Sequence, residues 1–269
     1  MDISFKKIKN KFLRFWRSDN GKIALIRDVF IALILVLLLL TALWAYTGQW
    51  LGAPMVAIES SSMRHDLEPF GRFGTINAGD MVLLVNVEKR NEIVTFAEAR
   101  ANRDHDNYFY GKYGDVLIYR PYGVDDRDQI IHRAMCWIDY NENGTYTVES
   151  YGLYNVESIK IRELGLDGYT PSNSGFITKG DNNEYCDQRS DICREPVKVS
   201  WISGKARGEL PWVGTINLFF NDLTSGKNTV GNVPTDCIMC LVLLVFILVM
   251  IPVSLDLYDY YKSKKEEEP

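Results

Sequence analysis

Ile130-Ile131-His132-Arg133-Ala134-Met135-Cys136-Trp137-Ile138 is rich in β-branched and aromatic residues and contains neither Gly nor Pro. Such a stretch reads as a β-strand. The turn sequence Asn141-Glu142-Asn143-Gly144 separates it from residues 144–150 (GTYTVES), which repeat its composition. Upstream, residues 81–87 and 116–119 are short apolar runs, each introduced by a Gly-Asp pair, Gly79-Asp80 and Gly114-Asp115. Residues 53–58 (APMVAI) form another short apolar run, and residues 197–202 and Pro211-Trp212-Val213-Gly214 extend the strand-like pattern downstream. Residues 89–112 are polar and partly helix-permissive (FAEARA at 96–101), an insertion between core strands. The expected fold class is mainly β.

Two runs lie outside this pattern. Residues 29–46 (VFIALILVLLLLTALWAY) and 237–255 (CIMCLVLLVFILVMIPVSL) carry no charge. Each is long enough to cross a hydrocarbon layer of about 30 Å as a helix. The expected organisation of the 269 residues is a basic leader over 1–28 and a first transmembrane helix over 29–49. A water-soluble domain over 50–235 follows, with its insertion at 89–112, then a second helix over 237–255 and a charged tail over 256–269. A cleaved signal peptide is the rival reading of the first run. Bulky Leu43, Trp44 and Tyr46 crowd the place of a small-x-small cleavage site, which favours an anchor. Trp44, Tyr46 and Trp50 suit the aromatic belt of the outer interface. Lysines and arginines cluster before the first run, and Lys262, Lys264 and Lys265 follow the second, so both termini are expected in the cytoplasm and the domain outside it. Residues 5–17 (FKKIKNKFLRFWR) fit an amphipathic segment on the anionic inner leaflet and a solvated leader equally well.

The net charge of -5 understates the acidity of the middle. The two ends and Asp236 set aside, 19 Lys and Arg face 26 Asp and Glu. A nucleic-acid partner needs the opposite sign and is not expected. Of five cysteines, Cys237 and Cys240 lie in the second apolar run and Cys136 in a strand. Cys186 and Cys193 bracket a short loop in the exported domain, where a disulfide is permitted. Metal binding is the rival, but no further Cys or His is near enough to complete a site. No cofactor or metal is expected. Asn143-Gly144-Thr145 is a glycosylation sequon on a turn.

Residues able to carry chemistry occur in a definite order. Glu59-Ser60-Ser61-Ser62-Met63 follows the first short strand. Gly79-Asp80, then Tyr113-Gly114-Asp115 with Val116-Leu117-Ile118-Tyr119-Arg120-Pro121, come next. Ile131-His132-Arg133 and Lys179-Gly180-Asp181-Asn182-Asn183 close the series, with Asp187 behind. An unassisted serine hydroxyl is a poor nucleophile and needs a base. Of three histidines, His105 sits in a polar loop, and His65 is too close to Ser62 in a turn to hold a base's geometry. His132, on an apolar strand, remains.

The series resembles the type I signal peptidase family from about residue 56 to residue 214. It is nearer the archaeal and endoplasmic-reticulum branch, which has His where the bacterial enzymes have Lys; the second anchor and the insertion favour an archaeal membrane. The resemblance implies a coiled domain of antiparallel sheets and a serine endopeptidase that removes signal peptides from exported preproteins. It makes Ser62 the nucleophile, His132 the general base and Asp187 the orienting acid, with Asp181 in a supporting role. The Ser62 N–H and Ser60 hydroxyl would be oxyanion donors, and small residues would be preferred immediately before the cut and two residues further back. The implied partners are preproteins and the lipid bilayer, with a link to the secretion translocon left open. Many family members have Pro soon after the Met, whereas Arg64-His65-Asp66-Leu67-Glu68 precedes Pro69 here. A non-catalytic binding protein on the same fold and a membrane protease of broader specificity are the rival readings.

Overall fold

The computed structural model describes Trp16 and residues 20–50, 52–65, 67–190 and 192–267. The chain divides into two units, Met1–Pro54 and Met55–Pro269. Of the basic leader over 1–28, residues 1–15 and 17–19 lie outside the described residues, and with them all of the 5–17 segment except Trp16.

Among the described residues, the first unit holds one long helix, α1 (Gly21–Thr47). The Asn20 side chain accepts the Lys22 N–H at its start, and Gly48, at φ 68°, ends it by donating to the Trp44 carbonyl. The helix begins before the uncharged run and takes in Lys22, Arg27 and Asp28. At about 1.5 Å per residue it is about 40 Å long. It is long and apolar enough to cross a membrane.

The second unit is mainly antiparallel sheet. In chain order its strands are β1 (Met55–Ala57), β2 (Met81–Val85), β3 (Tyr108–Phe109), β4 (Lys112–Tyr113), β5 (Val116–Tyr119), β6 (Ile130–Tyr140), β7 (Tyr146–Val148), β8 (Leu153–Val156), β9 (Ile159–Ile161), β10 (Leu166–Tyr169), β11 (Gly175–Lys179) and β12 (Ile202–Leu210). The main sheet runs β1-β2-β12-β5-β6-β7-β8, with β11 also on β6. β6 is the hub. In register it sets His132 opposite Leu117 and Arg133 opposite Val116 of β5, and Arg133 opposite Lys179 of β11. Side chains alternate across a pleated strand, so His132 and Arg133 leave β6 on opposite faces. Both are buried. One apolar cluster gathers Cys136, Ile138, Ile159 and Ile177; a second gathers Leu117, Tyr119, Phe176 and Val197.

Three details differ from the sequence reading. Residues 203–210 belong to β12, where buried Gly204 and Ala206 alternate with half-buried Ser203, Lys205 and Arg207. The alternation hides small residues, so it carries little apolar signal; a Cβ at Gly204 would come within 2.6 Å of the Val85 carbonyl oxygen. Pro211 to Gly214 is a turn, with Trp212 at φ 64° and its N–H on Asp80 at 2.9 Å, and it opens helix α3 (Gly214–Ser225). The third concerns cysteine. Cys186 and Cys193 are free thiols. Cys186 packs beside Cys136 and Ile177, while Cys193 packs beside Phe176 and Val197, so the two sulfurs face separate clusters.

The 89–112 segment includes helix α2 (Phe96–Asn102), capped by a reciprocal Thr95–Glu98 box and seated through buried Ala97 and Ala99. The chain ends in α4 (Thr235–Glu267), 33 residues long, which is also long and apolar enough to cross a membrane.

Candidate active site

Ser62 sits on the turn that follows β1. The strand is fixed by Ile58, whose N–H reaches the Asp80 carbonyl and whose carbonyl accepts the Gly79 N–H, both at 2.9 Å. Buried Met63 then pins the far side of the turn, leaving Ser62 half-buried and Ser60 and Ser61 exposed. A second turn grips this one. Asn182 donates its N–H to the Ser62 carbonyl at 2.8 Å and its Nδ2 to the Ser61 carbonyl at 3.3 Å. Gly180 is needed for that grip, because a Cβ there would stand 2.7 Å from the Ser62 carbonyl oxygen.

His132 points its Nδ1 at Asp187 Oδ2, 2.7 Å away, with both side chains buried. The carboxylate accepts, so Nδ1 carries the proton and Nε2 is left with a free lone pair. Asp187 Oδ2 also accepts from Tyr119 Oη at 2.8 Å and from Thr178 Oγ1 at 2.7 Å. Burial and the Asp187 charge push the Tyr119 phenol well above its ordinary value, which keeps it a donor. The Asp187 N–H donates to the Thr178 carbonyl, tying the acid to the end of β11. Asp187 Oδ1 is buried and has no hydrogen-bond partner among the described residues.

Ser62 and His132 line one cleft of about 770 Å³, together with Val56, Ile58, Ile118 and Ile131. Ser62 Oγ lies 3.1 Å from Ser60 Oγ, and no hydrogen bond joins it to His132 in this structure. Catalytic hydrogen bonds often tighten only when substrate binds. What the cleft presents is a hydroxyl and an acceptor nitrogen backed by a buried acid, the ingredients of general-base-assisted attack.

No protein-family model and no curated protein matches the chain. The functional reading therefore rests on the motifs and on this geometry.

Asp181 is turned away from His132. Arg133 donates Nε to its Oδ1 at 2.9 Å and Nη2 to its Oδ2 at 2.7 Å, and His65 Nε2 meets Oδ2 at 2.8 Å. Arg133 Nη1 also donates to the carbonyls of Phe109, Lys112, Tyr113 and Gly114. Burial acts to raise the Asp181 carboxyl, but the hydrogen bonds from Arg133 and His65 overcome it and hold it well below the usual carboxylate range. Asp187 is the acid on His132; Asp181 is the counter-ion of Arg133 and, through His65, a tie to the serine turn. Tyr119, Thr178, His65 and Arg133 had no assigned role in the motif reading. Tyr119 and Thr178 are 68 and 9 residues from Asp187, and only the pairing of β5, β6 and β11 brings them together.

Proposed function

We propose that the chain is a membrane-bound serine endopeptidase of the signal-peptidase type, acting on the signal peptides of exported preproteins. The observation that carries the reading is the buried His132–Asp187 pair opening, on its imidazole side, into the cleft that holds Ser62. Ser62 Oγ attacks the scissile carbonyl while His132 Nε2 takes its proton; the imidazolium formed is stabilised by Asp187, and its proton passes to the leaving amine. The acyl-enzyme is then hydrolysed by the reverse roles. The Ser62 N–H and the Ser60 hydroxyl are the proposed oxyanion donors, and removing one such donor costs about 100- to 1000-fold in rate.

β1 supports the substrate side of the reading. Among the described residues it is an edge strand paired only with β2, and its Val56 and Ala57 line the cleft just before the serines. An extended peptide adding to that edge would run its alternate side chains into the cleft. The two apolar helices support a two-span anchor, and the lysines and arginines flanking the apolar runs support a domain outside with both termini in the cytoplasm. Exposed Tyr258, Tyr260 and Tyr261 precede Lys262 and Lys264 on α4, an aromatic and basic border of the kind found at a membrane surface.

The test is to incubate detergent-solubilised protein with a preprotein and sequence the new N-terminus. Wild-type protein and Ser61→Ala should release mature protein cut at the signal-peptide junction, and Ser62→Ala should release none. Full cleavage by Ser62→Ala ends the serine-protease reading, and cuts scattered away from the junction would replace it with a broader protease.

A further inference from the structure

Helix α3 has three faces. Gly214, Thr215 and Leu218 are buried, and Asn217, Asn221 and Thr224 form an exposed polar strip. Between them Ile216, Phe219, Phe220 and Leu223 recur at helical spacing and are 45%, 57%, 60% and 73% exposed. No charged residue interrupts this apolar stripe. A stripe of large apolar side chains on a helix that is already packed on its other side has to be covered by something.

The packing of α3 says by what. Leu218 shares a buried cluster with Trp212, Val233 and Cys237, and Ile238, Cys240, Leu241 and Leu244 pack on the same cluster. Those last four residues lie inside the uncharged run of α4. The cluster that seats α3 thus extends along the first two turns of the apolar run, below its polar end. A neighbouring turn is at the same level. Gly71 donates its N–H to Asp236 and stands so close that a Cβ would meet Cys240 Sγ at 3.1 Å. That turn exposes Phe70 and Phe73, the second packed edge-on against Trp212. Where α4 enters lipid, these side chains are at the headgroup and acyl boundary, the depth at which amphipathic helices bury an apolar face.

We propose that the Ile216, Phe219, Phe220 and Leu223 face of α3, with Phe70 and Phe73, is a lipid-binding surface that seats the Ser62–His132 cleft against the bilayer. Ala57 of β1 packs on the same cluster, so the edge strand of the cleft is tied to this surface. The proposal rests on α4 spanning the membrane and, for its catalytic consequence only, on the peptidase reading.

The full chain in nanodiscs of phosphatidylcholine and phosphatidylglycerol tests it. A benzoylphenylalanine replaces Phe219, Phe220 or Leu223 in turn, and Asn221 as control; after irradiation, adducts are identified by mass. Lipid adducts at 219, 220 and 223 but not at 221 are expected. Adducts to a second copy of the chain, to another protein, or none would overturn the lipid assignment, whether or not the protein cleaves anything. A second arm compares Phe219→Ser/Phe220→Ser with wild type on a preprotein inserted in vesicles and on a soluble peptide with the same cut site. Cleavage of the inserted substrate should fall about tenfold or more, since misplacement of the reacting groups is costly, with peptide cleavage unchanged. Undiminished cleavage of the inserted substrate would overturn the seating role. An equal loss on both substrates would overturn it as well.

Discussion

His132 and Arg133 are adjacent on β6, and each has its own buried aspartate on its own face of the sheet. The His132 side is a cluster of neutral donors: an imidazole N–H, a phenol and a threonine hydroxyl converge on one oxygen of Asp187. The Arg133 side is a true ion pair, a bidentate guanidinium on Asp181 with a histidine added. A carboxylate fully matched by a fixed cation has its charge committed. One met by neutral donors keeps charge in reserve for an imidazolium that forms only during reaction. On the proposed peptidase reading the first side would serve catalysis and the second construction, and that division can be broken by experiment.

The largest effect should come from Asp187→Asn. An amide there favours the wrong imidazole tautomer, and a loss of about 10⁴-fold in kcat is expected, the scale known for this change in serine-protease triads. Thermal unfolding should change far less. A large fall in melting temperature with modest loss of rate would invert the comparison.

Asp181→Ala should do the opposite. It strands the Arg133 guanidinium, wholly buried, without its counter-ion. Breaking a buried pair in this way costs about 3–5 kcal/mol of stability, read from urea midpoints. The pH dependence has a fixed sign. The Asp181 carboxyl lies below its unfolded value, so its contribution is complete above the unfolded pKa of about 3.9 and is lost as pH falls toward the folded value. The stability gap between wild type and Asp181→Asn should be flat above about pH 5 and close only in stronger acid. A gap that opens or closes near neutrality would mean that another group controls the pair.

His65→Ala should fall between these. It removes the link from the Asp181 pair to the serine turn while leaving Asn182 holding the Ser61 and Ser62 carbonyls. A hydrogen bond to a charged partner is worth about 1.5–3 kcal/mol, so a moderate stability loss with reduced kcat is expected. His65→Gln, which can still donate, should recover most of both. Failure of the glutamine to rescue would show that ring shape matters here rather than the bond.

The motifs marked Ser62, His132, Asp181 and Asp187 because each lies in a short local pattern, and the resemblance alone gave Asp187 to the imidazole and Asp181 a supporting role. Their division lies in strand register, which sets His132 and Arg133 on opposite faces, and no local pattern records which aspartate meets which face. β12 was missed for a related reason. Its buried positions are Gly204 and Ala206, chosen by the closeness of β2 and not by hydrophobicity. Helix α3 was hidden because its apolar stripe follows a Pro-Trp-Val-Gly turn that read as strand. The two long apolar runs were the most legible elements, since their composition needs no partner to be understood.

The smallest effect is the one that tests the mechanism behind the comparison most finely. Tyr119→Phe deletes a single donor from Asp187 Oδ2 and leaves the ring, fully buried, in place. The stability cost of losing one hydrogen bond to a carboxylate is about 1.5–3 kcal/mol. Its consequence for the reaction has a direction. Three donors now share the charge on Oδ2; with two, more of it faces the imidazole, and the protonated ring is favoured more strongly. The acid limb of the kcat/KM profile should therefore move to higher pH, while the rate on the alkaline plateau changes by less than about tenfold. Thr178→Val should move the limb the same way, because Thr178 Oγ1 is the other neutral donor. The His65 variants, acting on the opposite aspartate, should leave the limb where it is. Equal movement of the limb in both sets would show that the two aspartates titrate as one system, and the separation across β6 would then have no functional meaning.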